Sequence, residues 1–189
     1  MYQIILSIGF MLTLSILLFA LGHAKLHRLR TTVVLPAEQF SRLMQLAERS
    51  LETADVPVGA LLLYKGDIIG EGYNTVLRNA QAGEHAEINA ISGAIRNLGM
   101  EAFTKLERKS LMLATTFEPC LMCAGAFINY NIQNVFFMKE KDFSYTSTEN
   151  ALLVRYLLHR RQILSGNEQV ALFEKHPAYP HMKEKQKFS

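Results

Sequence analysis

The chain reads as an α/β fold held behind an N-terminal membrane helix. Three observations predict this. A long uncharged apolar run opens the sequence. The apolar pattern then switches repeatedly between the two-residue period of strands and the helical period. The resulting order is helix, two strands, helix, strand, helix, strand, helix, in which helices supply the crossover connections between strands.

The opening run, Ile4 to Leu21, contains no charged residue. Eighteen helical residues rise about 27 Å at roughly 1.5 Å each, close to the ~30 Å hydrocarbon core of a bilayer. Lys25, Arg28 and Arg30 follow, with His23 and His27 between them, and nothing basic precedes the run except the amino terminus. This charge bias places the carboxyl side in the cytoplasm. A cleaved signal peptide would carry its charges before the apolar region; Gly22-His23-Ala24 offers only a weak cleavage site. The expected organisation is therefore an anchor over residues 1–24, a basic linker over 25–35, a folded domain over 36–175 and a polar tail over 176–189.

Within the domain, residues 31–56 contain a first helix, with Pro36 near its start, where a missing N–H costs nothing. Val58 to Tyr64 and Ile68 to Tyr73 read as a hairpin joined by Lys65-Gly66-Asp67. His85 to Leu98 is a helix ended by Gly99, with Ile88, Ile91, Ala94, Ile95 and Leu98 on one face. Leu111 to Thr116 is a strand, Pro119 to Tyr130 a helix and Val135 to Met138 a strand. A polar stretch, Lys139 to Asn150, precedes a helix over Ala151 to Leu164 and the tail. No repeats and no low-complexity segment interrupt this order.

The 189 residues suit one domain, and 49% hydrophobic with 20% charged residues is the composition of a folding chain. The net charge of +3 invites a nucleic-acid partner. Yet outside 31–182 six basic residues against the single acid Glu184 account for +5, leaving the body at −2. Terminal basic segments of this kind are more often solvated faces or membrane-surface contacts. The two cysteines, Cys120 and Cys123, are three apart, a spacing that suits ligands of one metal better than a disulfide.

His85-Ala86-Glu87 and Pro119-Cys120-Leu121-Met122-Cys123 carry the chemistry. On the first turn of a helix the two sulfurs turn to one side. The orphan N–H groups and dipole there favour thiolate, the form that binds zinc. His85, at the start of its own helix, supplies a third ligand. Three protein ligands leave a tetrahedral position open, which marks a catalytic and not a structural zinc. A water held by such a metal ionises near neutral pH. Glu87, beside the metal but not bound to it, can shuttle the protons that a deamination must move. Either piece alone is commonplace: a CxxC is often a pair of small buried side chains, and an HxE a helix-start histidine. Together, in this order and each opening a helix, they form the known signature of zinc deaminases.

The likeness extends to Val56-Pro57-Val58-Gly59-Ala60, Gly70-Glu71-Gly72-Tyr73-Asn74, HAEINAI from His85 and TTFEPCLMCAGAFI from Thr115. Over about residues 40–138 the chain resembles the cytidine deaminase-like superfamily, in particular its tRNA adenosine deaminase and guanine deaminase branch. The resemblance implies a three-layer α/β/α fold with a central five-stranded sheet and one Zn2+ held by His85, Cys120 and Cys123, with Glu87 as proton shuttle. It also implies that Asn74 hydrogen-bonds the base or sugar, that the backbone at Ala86 helps hold the ring, and that the protein is a homodimer. Asn74 has a structural alternative, capping the end of a strand.

Departures bear on the substrate. Gln81, Ala82, Gly83 and Glu84 replace the family's Asp-Pro-Thr-Ala before the histidine, and Met138 to Asp142 replace its Gly-Ala-x-Asp. Glu101 to Lys109 lengthen the segment between the zinc helices. The expectation is a deaminase of a free base, nucleoside or nucleotide. Two alternatives are a tRNA adenosine deaminase and a non-catalytic membrane-tethered module on the same scaffold. Phe143 and Tyr145 either stack on a base from a loop or serve as packing residues. His23, His27, His159, His176 and His181 lack partners at ligand spacing, and Arg155, Arg160 and Arg161 read as a solvated helix face.

Overall fold

The computed structural model describes residues 13–15, 34–159 and 174–175. The chain falls into two compact units, Met1–Glu140 and Lys141–Ser189. In the first, helix α1 (Ala37–Ser50) buries Leu43, Leu46, Ala47 and Ser50, the stripe that a helix with one apolar side produces. Pro36 precedes it in extended geometry, and its carbonyl accepts the N–H of Phe40 at 2.9 Å.

Strands β1 (Gly59–Tyr64) and β2 (Asp67–Tyr73) form the hairpin. Its two-residue turn needs positive φ at both positions, which Lys65 (52°) and Gly66 (93°) supply. A short helix α2 (Val76–Asn79), then α3 (Ala86–Leu98) and α4 (Met100–Lys105), lead to strand β3 (Leu111–Phe117). Helix α5 (Leu121–Asn129) then crosses to strand β4 (Asn134–Lys139). The sheet order is β2-β1-β3-β4. β1 pairs antiparallel with both β2 and β3, while β3 and β4 are parallel. A bulge beside Leu62 and Leu63 shifts the β1–β2 register by one residue, which leaves Ile69 unpaired.

Both faces of the sheet are covered, which makes the unit a three-layer α/β/α sandwich. Ala60 and Leu62 pack with Ala90, Ile91 and Ala94 of α3 and with Cys123 and Phe127 of α5. Leu61 and Leu63 point the other way, onto Leu43 and Leu46 of α1. Each of these fully buried leucines contributes about 1.5–3 kcal/mol. In the second unit, α6 (Phe143–His159) follows Lys141, whose Nζ lies 2.5 Å from Glu149 Oε2.

Four sequence expectations are corrected. The sheet has four strands among the described residues, not five; the element order read from the residues already contained four, and the fifth came from the resemblance. Helix α5 begins at Leu121, so Pro119 precedes the cap and Cys120 occupies it. Helix α6 begins at Phe143, within the stretch expected to be a polar loop, so Phe143 and Tyr145 are helical. Its Ser and Thr residues are accommodated by bonding back one turn: Thr148 Oγ1 donates to Ser144 O at 2.9 Å. Finally, the expected face of α3 holds for Ile91 and Ala94, which are buried, and for Ile88 and Ile95, which pack against the core, but Leu98 is exposed, and Ala86 and Ala90 join the face where glycines approach the helix from the sheet. The apolar run Ile4–Leu21 lies, apart from Thr13–Ser15, outside the described residues; no helix among those described is long and apolar enough to cross a membrane.

Candidate metal centre

The antiparallel pairing on both sides of β1 makes β2 and β3 run in the same direction, so their carboxyl ends lie at one end of the sheet. The loop after β2 leads to His85, and the loop after β3 leads to Cys120. His85 and Cys120 take the same role locally. Each is the extended residue that starts its helix, His85 (φ −71°, ψ 153°) before α3 and Cys120 (φ −76°, ψ 171°) before α5.

The position of α3 is fixed by missing side chains on β2. A Cβ at Gly72 would lie 2.1 Å from Ala86 O, and one at Gly70 would lie 2.2 Å from Ala90 O. Only glycine lets helix and strand backbones approach this closely. The loop between them is stitched shut. Thr75 Oγ1 and Asn79 Nδ2 donate to Glu84 Oε2 at 2.6 and 2.5 Å. Asn89 Nδ2 reaches Tyr73 O and Thr75 Oγ1, both at 2.9 Å. Buried Asp55 caps α2 from a distant loop, accepting the N–H groups of Leu77 and Arg78 at 2.7 and 3.1 Å. Burial opposes ionisation of Asp55, but those N–H groups and the Thr53 hydroxyl outweigh it and hold the carboxyl below its usual range.

His85, Cys120 and Cys123 meet as the sequence spacing predicts. His85 Nδ1 lies 3.6 Å from Cys120 Sγ and 3.7 Å from Cys123 Sγ, and the two sulfurs are 3.7 Å apart. Zinc at usual bond lengths and tetrahedral angles needs S···N edges of about 3.6 Å and an S···S edge of about 3.8 Å. The triangle fits that ion. Both thiols are free of any disulfide, and Cys123 is buried. Hydrogen bonding from Cys123 brings Cys120 down to about 5, against the opposing effect of burial; the N–H groups at the start of α5 and His85 assist. Cys123 is pushed up by that same hydrogen bond, by burial and by Glu87. A zinc ion held by the pair would favour the thiolate form of both sulfurs, since the metal binds that form.

Glu87 lies on the first turn of α3 and is buried, with its carboxyl hydrogen-bonded to Cys123. Burial raises its pKa, partly offset by its own backbone N–H and by Cys123. Ala86 is fully buried. Asn74 follows β2, donates its backbone N–H to Val58 O at 3.1 Å, and is buried with Oδ1 lacking a partner.

One further polar group was not singled out from the sequence. Thr115 is buried, and its Oγ1 is also unpartnered. It pairs with Ala60, on the sheet face shared with Leu62, Leu113 and Cys123. A hydroxyl two positions beyond Leu113, where strand alternation demands an inward side chain, was the available signal.

Residues 37–139 match the model of the cytidine and deoxycytidylate deaminase zinc-binding region. The tRNA-specific adenosine deaminase of Buchnera aphidicola subsp. Schizaphis graminum is 37% identical over 86 residues, 46% of this chain and 54% of that protein. The chain thus spans about half the length of that relative. The tRNA-specific adenosine deaminase of Aquifex aeolicus is 34% identical over 116 residues, 60% of this chain and 74% of that protein. Among solved structures, guanine deaminase from Bacillus subtilis superposes with a TM-score of 0.57 at 26% identity, covering 74% of this chain and 92% of that one.

Proposed function

Because the chain belongs to the cytidine and deoxycytidylate deaminase zinc-binding family, we propose that it is a hydrolytic deaminase of adenosine within tRNA. The observation that carries the reaction type is the His85–Cys120–Cys123 triangle with the buried Glu87 carboxyl against it. The names of the Buchnera and Aquifex relatives support the substrate. Bound zinc supplies the Lewis acidity that makes a water nucleophilic near neutral pH.

The chain's own residues do the rest. The water oxygen bonds to the amino-bearing ring carbon, and the Glu87 carboxylate accepts the water's proton and delivers it to the adjacent ring nitrogen. A second proton passes through Glu87 to the amine. The C–N bond then breaks, its electron pair leaves with ammonia, and a carbonyl remains. Burial raises the Glu87 pKa towards the range where one carboxyl both takes and gives a proton. Asn74 Oδ1, buried without a partner, accepts a hydrogen bond from the bound nucleoside. The N–H of Ala86, one of the orphan donors at the start of α3, faces the ring.

A second reading, deamination of a free purine base, is favoured by the likeness to guanine deaminase from Bacillus subtilis. Ammonia release from a panel separates the two: an anticodon stem-loop, adenosine, AMP, adenine, guanine and cytidine. Release from the stem-loop alone is expected. Release from guanine but not from RNA would replace the first reading with the second, and no release from any member would overturn both.

A further inference from the structure

Two arginines outside the metal centre converge on one oxygen. Arg78 Nη1 donates to Tyr73 Oη at 2.5 Å, and Arg49 Nη2 donates to the same oxygen at 3.4 Å. Both guanidiniums also sit over the Tyr73 ring, 4.6 Å from its centroid for Arg49 and 5.9 Å for Arg78. The arrangement holds two like charges together at the surface, with Asp55 in electrostatic range of Arg78 and Glu71 in range of Arg49. Among the described residues, the one carboxylate within ion-pair range of either is Glu52, 3.8 Å from Arg78 and itself exposed.

Nearby acids are committed elsewhere. Glu71 is gripped by both Nε and Nη2 of Arg42, and Asp55 spends its oxygens on the start of α2. A guanidinium has five N–H donors, so most donors of this pair point to solvent. The net −2 of the chain's body conceals this grouping.

The location gives the pair a use. Tyr73 immediately precedes Asn74, and Arg78 lies on α2, in the loop that runs from Asn74 to His85. The Tyr73 carbonyl is tied to α3 through Asn89, while its ring packs on the α1 side of the sheet, so the cations flank the strand end that leads to His85 from the face opposite Cys123. An exposed, preorganised pair of forked donors matches phosphate oxygens, whereas an enclosed pocket would suit a free anion.

We propose that Arg49 and Arg78, held on Tyr73, form a clamp for a backbone phosphate of RNA next to the nucleotide that enters the metal centre. The proposal rests on the tRNA reading above. Such contacts set register and orientation on the strand and leave the reading of the base to the pocket.

The test measures binding apart from chemistry. The zinc-loaded full chain is titrated into a labelled anticodon stem-loop carrying inosine at the reactive position, at several salt concentrations. The wild type is compared with R49Q, R78Q, the double variant and R49K. Each lost phosphate contact should lower the slope of log affinity against log salt by about 0.7. The double variant should therefore bind more weakly and lose about 0.7 from the slope, the share of the one phosphate the pair holds, with zinc content unchanged. R49K should keep the wild-type slope. An unchanged affinity and slope in the double variant would overturn the clamp. So would a loss confined to AMP binding, which would assign the site to a free nucleotide. If the slopes behave as expected but the wild type releases no ammonia from the adenosine-containing stem-loop, the clamp stands and the deaminase reading fails.

Discussion

Replacing Gly72 with alanine tests whether the close approach of α3 to β2 sets the metal site. The added Cβ would sit 2.1 Å from Ala86 O and 2.4 Å from Ala90 N, both backbone atoms that no side-chain rotation can move aside. Ordinary contact begins at 3.4 Å, so the start of α3 must retreat by about 1.3 Å. His85 is the residue directly before that helix, and metal–ligand distances tolerate only about 0.2 Å. Overpacking of this kind costs about 1–3 kcal/mol of stability. Displacing the histidine should weaken zinc at least tenfold, the lower end of about 10–100-fold for lost support around a ligand. Thermal unfolding and competition with a chromogenic chelator measure the two effects. Gly125 on α5 is the control: it is exposed with open space at its Cβ position, so Gly125→Ala should stabilise by about 0.5–1 kcal/mol and leave zinc affinity unchanged. A Gly72→Ala protein with wild-type melting and wild-type zinc affinity would refute the reasoning.

Four further outcomes are expected. Glu87→Gln should retain stoichiometric zinc and lose ammonia release by about 10²–10⁴-fold, the usual worth of general acid–base catalysis; near-normal turnover would remove Glu87 from the mechanism. Cys123→Ser should lose metal, measured by atomic absorption, and chelation of the wild type should lower its melting temperature. Glu71→Gln addresses acid stability. The hydrogen bonds from Arg42 hold the Glu71 carboxyl below its usual range, so its contribution is present above the unfolded carboxylate value of about 4.3 and fades as pH falls through the folded value. With both side chains about one-third exposed, that contribution is at most about 1 kcal/mol. Urea midpoints of wild type and variant should differ at pH 6, and the difference should shrink as the pH is lowered through the acid range. The apolar run 4–21 should tether the full chain to membranes after cell fractionation, and deletion of residues 1–24 should release it; a full chain found in the supernatant would count against the anchor.

The metal site was legible because ligand chemistry restricts the choices. Few side chains bind zinc, and Cys120 and Cys123 could turn to one side only at a helix start. The hairpin was equally plain, since Lys65-Gly66 between two apolar runs leaves few alternatives. The inner stripe of α3 was so only in part. Ile88, Ile91 and Ile95 do meet the core, but the alanines at 86 and 90 were overlooked because their partners are the glycines of β2, and the partner of a glycine must be small. Helix α6 was obscured by Thr146 and Thr148, whose side chains compete for backbone bonds in isolation and bond back along the chain here, to the carbonyls of Asp142 and Ser144. The clamp at Tyr73 was invisible because Arg49, Tyr73 and Arg78 come from three elements and share no spacing. Summing charge along the chain averaged it away.

Strand β1 has neighbours of two very different origins. One joins it through a two-residue turn, and the other pairs Ala60 with Thr115, far along the chain. Hairpins form in about 1–10 μs, whereas a wide loop must find its ends against a larger entropy cost. The strand pair that leads to His85 and Glu87 is thus a local one, while the sulfurs come within reach only when β3 docks. Bringing the one ligand to the other two therefore requires the long-range pairing of β1 with β3. Zinc binds with full strength only after that long-range closure, so supply of the metal governs how long the closed form lasts rather than how fast it is first reached.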